Sequence, residues 1–281
     1  MKKINIVSML NLLVIILLLI SSCRSDSSQE NTNEETTELG EYNSEMALNE
    51  IKTTYKLPSP VELYAFLKDN NKNFQGNSIN SVDKMSEYYT TTQKAVNFGV
   101  YASDMAYCIV FGKLQECFLY FSATKNLATE LGITDGFGQI ITDRIDKNLF
   151  NYDSLFQITS DSYWEACTFL EEQGKSNILS LIIAGGWIES LYISIKSVDE
   201  FSPDDKVVIR IAEQQILLEN LLDFFNSLEE EEQINGIFEE FSELRDCFDE
   251  LYDNPEDVII TKKQFSKISK KVNSIRKNIV S

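Results

Sequence analysis

Asp104 and Glu189 are carboxylates set inside otherwise apolar helical runs, NFGVYASDMAYCIVFG and SNILSLIIAGGWIESLYISIKSV. Glu213-Gln214 interrupts a third such run, IRIAEQQILLENLL. Taking a charge out of water is costly unless it is paired and hydrogen-bonded. A carboxylate in an apolar helix is therefore either an anchor between helices or the floor of a polar pocket, and ion-pair networks favour the anchor. If helices over 91–111, 176–198 and 204–228 pack together, Asp104, Glu189 and Gln214 form one buried polar cluster. Tyr101, Tyr192, Lys196 and Arg210 are the partners within its reach. The bland alternative is that a single Asp on a helix faces solvent.

The remaining chemistry is bounded by absence. The chain has no histidine, which excludes His-based triads, zinc-protease motifs, Glu-x-x-His di-iron bundles and His-ligated haem. It has no Gly-rich phosphate loop, nucleophile elbow or EF-hand pattern. Carboxylate-only catalysis of the glycosidase type stays open, but 44 acidic residues offer no way to choose a pair. Cys108, Cys117, Cys167 and Cys247 form no CxxC and no metal-ligand spacing. Each sits among aromatic or aliphatic residues, as a small buried hydrophobe does; one disulfide is the alternative. No cofactor and no metal is expected.

Cys23 carries a different chemistry. Lys2 and Lys3 precede an unbroken apolar run over 12–20, and Ile20-Ser21-Ser22-Cys23 follows. That order reads as a secretory signal, and its end resembles the lipobox of bacterial lipoproteins. The resemblance implies cleavage after Ser22 and diacylglycerol on the Cys23 thiol, with the new amine acylated, palmitate being a typical chain. Several acyl chains, at ~0.8 kcal/mol per buried methylene, hold a protein on a membrane without a spanning helix. An ordinary cleaved signal and an uncleaved anchor helix are the alternatives, and neither accounts for a Cys at this place. By the same resemblance, Arg24 in place of a retention aspartate points to the outer membrane of the cell envelope.

Residues 24–45, RSDSSQENTNEETTELGEYNSE, have Leu39 as their only aliphatic residue. Such a composition does not offset the entropy of ordering, so 23–47 reads as the lipidated Cys and a disordered acidic tether. As a flexible coil it spans roughly 25 Å. Removing residues 1–22 takes away two lysines and no acid, leaving 23 basic against 44 acidic side chains, net −21. That field repels nucleic acid and anionic headgroups, and no nucleic-acid partner is expected.

The elements that must position these residues read as helices throughout 48–281. Ser59-Pro60 opens one over 61–70, and further helices follow over 82–89, 91–111, 113–131, 139–149 and 153–173. Gly132 and Gly174 stand where helix stops are expected. Residues 176–198 are apolar on nearly every face, which places them at the centre of a bundle. Gly185-Gly186 there suits close backbone approach, with Trp187 filling the space beside it. Ser180, Glu189 and Ser190 break the apolar run short of the ~20 residues of a membrane span. A long helix over 204–228 comes next. Two narrow seams then follow: Ile234, Ile237, Phe241, Leu244, Phe248 and Leu251, and after them Phe265, Ile268, Val272, Ile275 and Ile279. Such seams zip two helices together. Ser227–Glu230 and Thr261–Gln264 match capping boxes. Residues 229–257 hold thirteen acids and one base, while 261–281 hold seven bases and no acid. The fold is therefore all-α, a single antiparallel bundle of eight to nine helices with a C-terminal αα-hairpin. The basic helix could alternatively mark a contact with an anionic membrane or a partner.

The stretches LPSPVELYAFLK, NFGVYASDMAYC, LATELGI, AGGWIESLYIS and IAEQQILLENLL, in this order, resemble segments of a family of helical lipoproteins from Bacteroidota. The resemblance covers most of 57–228 and implies a helical fold and an envelope location, with no catalytic residue. Two functions follow from different classes. One is a membrane-tethered, non-catalytic binding or scaffolding module for an envelope protein or small ligand. The other is a carboxylate-dependent enzyme on envelope polysaccharide or peptide, which requires two acids facing each other across an open groove.

Overall fold

Pro60 sets φ for helix at a position whose N–H would have no partner anyway, and α1 (Pro60–Asp69) begins there. Ser59 occupies the cap position without a capping bond, and its buried hydroxyl has no partner. The computed structural model describes residues 59–134, 152–228 and 232–281. Cys23, the tether and the expected helix over 139–149 lie outside the described residues, as do Glu229 and Glu230 of the Ser227–Glu230 capping box. The predicted helix over 82–89 is a 3-10 turn, Val82–Glu87.

Thr90 and Gln93 cap each other reciprocally at the start of α2 (Thr91–Val110). Next are α3 (Leu114–Glu130) and α4 (Tyr152–Glu172). Gly132 and Gly174 stop them in the left-handed region, at φ 64° and 66°. Helix α5 (Ser176–Lys196) has Leu, Ile, Ala, Gly and Trp on all sides. By length and composition α5 matches a membrane span, so the apolar count alone does not decide its place. Its surroundings do, because 89% of its apolar window is buried inside the protein. Helices α1, α2 and α4 pack on it, as do α6 (Lys206–Ala212), α7 (Gln214–Ser227), α8 (Glu232–Asp249) and α9 (Lys262–Ile279). Its buried serines turn inward to its own backbone: Ser190 donates to the Trp187 carbonyl and Ser194 to that of Ser190. The described residues form nine α-helices and no strand, an all-α bundle.

The tightest crossing joins α2 to α5. A Cβ on Gly185 would overlap the Val96 carbonyl oxygen, and one on Gly99 that of Ile182. Two backbones therefore touch where the sequence places glycine. The long helix expected over 204–228 is instead broken at Glu213 into α6 and α7. There the Gln214 side-chain amide donates to the Arg210 carbonyl at 3.2 Å. A side chain inserted into the i→i−4 ladder in this way bends a helix.

The hairpin forms as the charges predict. Lys267 pairs with Glu250, Lys271 with Glu243, and Asn278 donates to Glu240. One set of numbers rises while the other falls, so α8 and α9 run antiparallel. The predicted Thr261–Gln264 box caps α9. All four described cysteines are buried and none is in a disulfide. Burial pushes the Cys117 thiol up to about 12 and Cys108 higher still, so neither is a reactive thiolate at neutral pH.

Candidate functional site

Glu189 lies on the face of α5 that meets α9, and Asp104 on the face of α2 that meets α5. Both are fully buried. Arg276, from the last two turns of α9, reaches in between. Its Nε donates to Glu189 Oε2 at 2.9 Å and its Nη2 to Oε1 at 3.0 Å. This is the bidentate fork that a planar guanidinium makes with a carboxylate. Nη2 also donates to the Ser78 carbonyl at 3.3 Å, and the guanidinium rests on the Tyr192 ring at 4.6 Å. The Glu189 charge pushes the Arg276 pKa upward against the opposing effect of burial.

Asp104 and Glu189 are within hydrogen-bonding reach of each other. Asp104 Oδ2 accepts the Asn80 backbone N–H at 3.0 Å, while Oδ1 has no donor partner. Two facing carboxylates need one proton between them. Burial, followed by the Glu189 charge, raises the Asp104 pKa well above the ordinary carboxylate range. Burial also raises Glu189, but the Arg276 charge and hydrogen bonds oppose it. Asp104 therefore holds the proton and Glu189 the charge. Acid, carboxylate and guanidinium together are neutral, which is how three buried ionisable groups coexist.

Residues 78–81 cover the pair. Asn80 is held by three groups: its amide N–H donates to Asp104, its side chain donates to the Tyr88 hydroxyl at 3.0 Å, and its carbonyl accepts the Tyr120 hydroxyl at 2.7 Å. Tyr101 donates to the Ser81 carbonyl at 2.9 Å. Beneath, the Tyr64 and Ser103 hydroxyls share a bond of 2.7 Å. Burial, then the charges of Asp104 and Glu189, raises Tyr64 well above its usual range. Asp104 and Glu189 are thus roofed by backbone and tyrosine hydroxyls and have no exposed surface, while the Arg276 side chain stays 14% exposed.

Of the residues named from sequence, Asp104, Glu189 and Gln214 are all buried, but only the first two meet. Gln214 lies elsewhere along α5, where its Oε1 accepts the Trp187 indole N–H at 3.2 Å. Trp187 and Glu189 are about 200° apart around a 3.6-residue helix, so their partners lie on opposite sides of it. Tyr192 belongs to the cluster through Arg276, and Tyr101 through Ser81. Arg210 stacks on Phe66 and pairs with Glu213, and Lys196 stands over Tyr192. Arg276 and Asn80 are members that the sequence did not single out. Arg276 did carry a signal: it is the only arginine among six lysines in 261–281, and the forked guanidinium suits a buried carboxylate as lysine does not. Among the described residues no group of three or more His, Cys, Asp or Glu could hold a metal ion.

No family model, no curated protein and no solved structure matches this chain.

Proposed function

We propose that this chain is a lipid-anchored, non-catalytic binding module of the bacterial cell envelope. The observation that supports the non-catalytic half best is the closure of the carboxylate pair. Both Glu189 oxygens are occupied by Arg276, and the loop over 78–81 lies across Asp104. A carboxylate-dependent enzyme needs one acid to meet substrate and another to meet water or substrate. A pair with no exposure that already shares its proton does neither. The anchor rests on Ile20-Ser21-Ser22-Cys23 behind a basic and apolar leader, and on the resemblance to helical Bacteroidota lipoproteins. An outer-membrane location follows from Arg24 under the same resemblance. The partner is an envelope protein or a small ligand, since a net charge of −21 disfavours nucleic acid.

Labelling with an alkyne analogue of palmitate in a bacterial host tests the anchor. The wild-type chain is expected to incorporate label and begin at Cys23, while Cys23→Ala takes up none. Unlabelled wild type, or label retained in Cys23→Ala, would overturn it.

A further inference from the structure

Beside the α2–α5 crossing, away from the carboxylates, the interior is not filled. A cavity of about 70 Å³ lies between α1, α2, α3, α4 and α5. Its origin is a matter of side-chain size. Helix α2 presents Gly99, Ala102, Ser103 and Ala106 at helical spacing. At Gly99 that smallness is consumed by the Ile182 carbonyl. Further along, α4 brings Ala166 and Cys167 to the same face. Small residues meet small residues there, and space remains. Leu170, Leu179 and Ile182 supply the aliphatic walls.

The polar atoms of the lining already have partners. Ser103 is bonded to Tyr64, Thr124 donates to the Phe121 carbonyl at 2.9 Å, and Tyr163 is bonded to Cys167. A water needs two to four polar partners to occupy such a space, so an apolar cavity of this kind stays dry. Close-packed interiors seldom leave voids of this size. What fits is a body with no polar group on the inserted part. The shape of that body follows from volume. A cavity of ~150 Å³ accommodates benzene, and this one is about half as large, which suits a slender chain end better than a ring. Met105, Phe121 and Tyr163 line it at half-buried positions. They form an adaptable apolar rim for the rest of such a chain.

We propose that this cavity takes the end of a straight alkyl chain, from a free fatty acid or from a membrane lipid. The proposal rests on the binding-module reading above and names its ligand class; it does not depend on the Cys23 anchor.

Calorimetry with straight-chain carboxylates from hexanoate to decanoate tests it, on the chain from residue 23 carrying Cys23→Ala. Affinity is expected to rise about fourfold per methylene until the cavity is full, and then to level off. Ala106→Leu fills the space from α2, and Ala166→Leu fills it from α4. Each is expected to weaken decanoate binding at least tenfold while raising the melting temperature by about 2–4 °C, so loss of binding through unfolding is recognised by the opposite sign. Flotation with phosphatidylethanolamine vesicles separates the sources. Vesicle binding that Ala106→Leu abolishes assigns membrane acyl chains, whereas decanoate binding without flotation assigns free acids. Absence of both marks a packing void only and overturns the proposal, as does binding that neither variant weakens. Crosslinking to an envelope protein that persists in such a case would leave the binding-module reading standing.

Discussion

Asp104 holds a proton in the folded protein that it releases when the chain unfolds. Folded, its pKa is raised well above 3.8 by burial and then by Glu189; unfolded, it returns to the ordinary carboxylate value. Between the two, the native state binds more protons, so the contribution to stability is complete below the unfolded pKa and is lost as pH rises through the folded one. The absence of histidine makes this visible, because no side chain with an unperturbed pKa titrates between pH 5 and 8. Asp104→Asn needs no proton: its carbonyl can accept from Asn80 while its amide donates to Glu189. Its urea midpoint is expected to equal or exceed wild type at pH values above the ordinary carboxylate pKa, with a flatter pH profile there. A lower midpoint at pH 7 with an unchanged profile would show that Asp104 is ionised. Glu189→Gln works in the opposite direction, since it removes the carboxylate that both Arg276 nitrogens grip. A loss of about 3–5 kcal/mol is expected in denaturant unfolding. Adding Arg276→Met should recover part of it, because neither charge is then left alone. The buried acids were legible as polar residues in apolar helices. Arg276 was obscured by a helix whose composition is that of a solvated basic face.

Adjacent glycines in α5 have opposite roles, and the distinction belongs to the crossing of two helices. Gly185 faces the Val96 carbonyl with no room for a methyl, whereas the nearest atom to a Cβ on Gly186 is Pro60 Cγ, at 3.4 Å. Gly185→Ala must push α2 and α5 apart, at a cost of about 3 kcal/mol or more. Gly186→Ala makes ordinary contacts and gains up to ~1 kcal/mol of helix propensity. Thermal melts should therefore move in opposite directions for neighbouring substitutions of the same kind. That this pair lies at a close approach was legible, because glycine costs helix propensity and needs a return. Which glycine makes the contact depends on the azimuth of α2, which periodicity within α5 does not contain. The same limit explains Gln214. Its burial was legible, but its partner is Trp187, on the side of α5 away from Glu189. The break between α6 and α7 was equally hidden, because the Gln214 side chain bonds a carbonyl that a straight helix would have used itself. The hairpin was the most legible element, since seam spacing and opposite charge agreed.

Across the whole molecule the acids outnumber the bases, and the hairpin only partly offsets this. Its surface pairs are partly exposed, which limits each to about 0–1 kcal/mol, while a formal net charge of −19 makes the chain repel itself. Salt screens both. Self-repulsion outweighs the attraction of these few pairs, so the melting temperature is expected to rise from about 10 mM to about 150 mM NaCl; a fall would mean that the hairpin pairs dominate. The position of Arg276 has a consequence for how the protein is made. Glu189 and its guanidinium partner are 87 residues apart in the chain. At ~5–20 residues per second, a ribosome delivers the second about 4–17 s after the first. Until then α5 has its glycines, its tryptophan and its neighbours on the N-terminal side, but not the cation that balances Glu189. The most apolar of the described helices therefore lacks the counter-ion of its buried carboxylate until nearly the whole chain has been made.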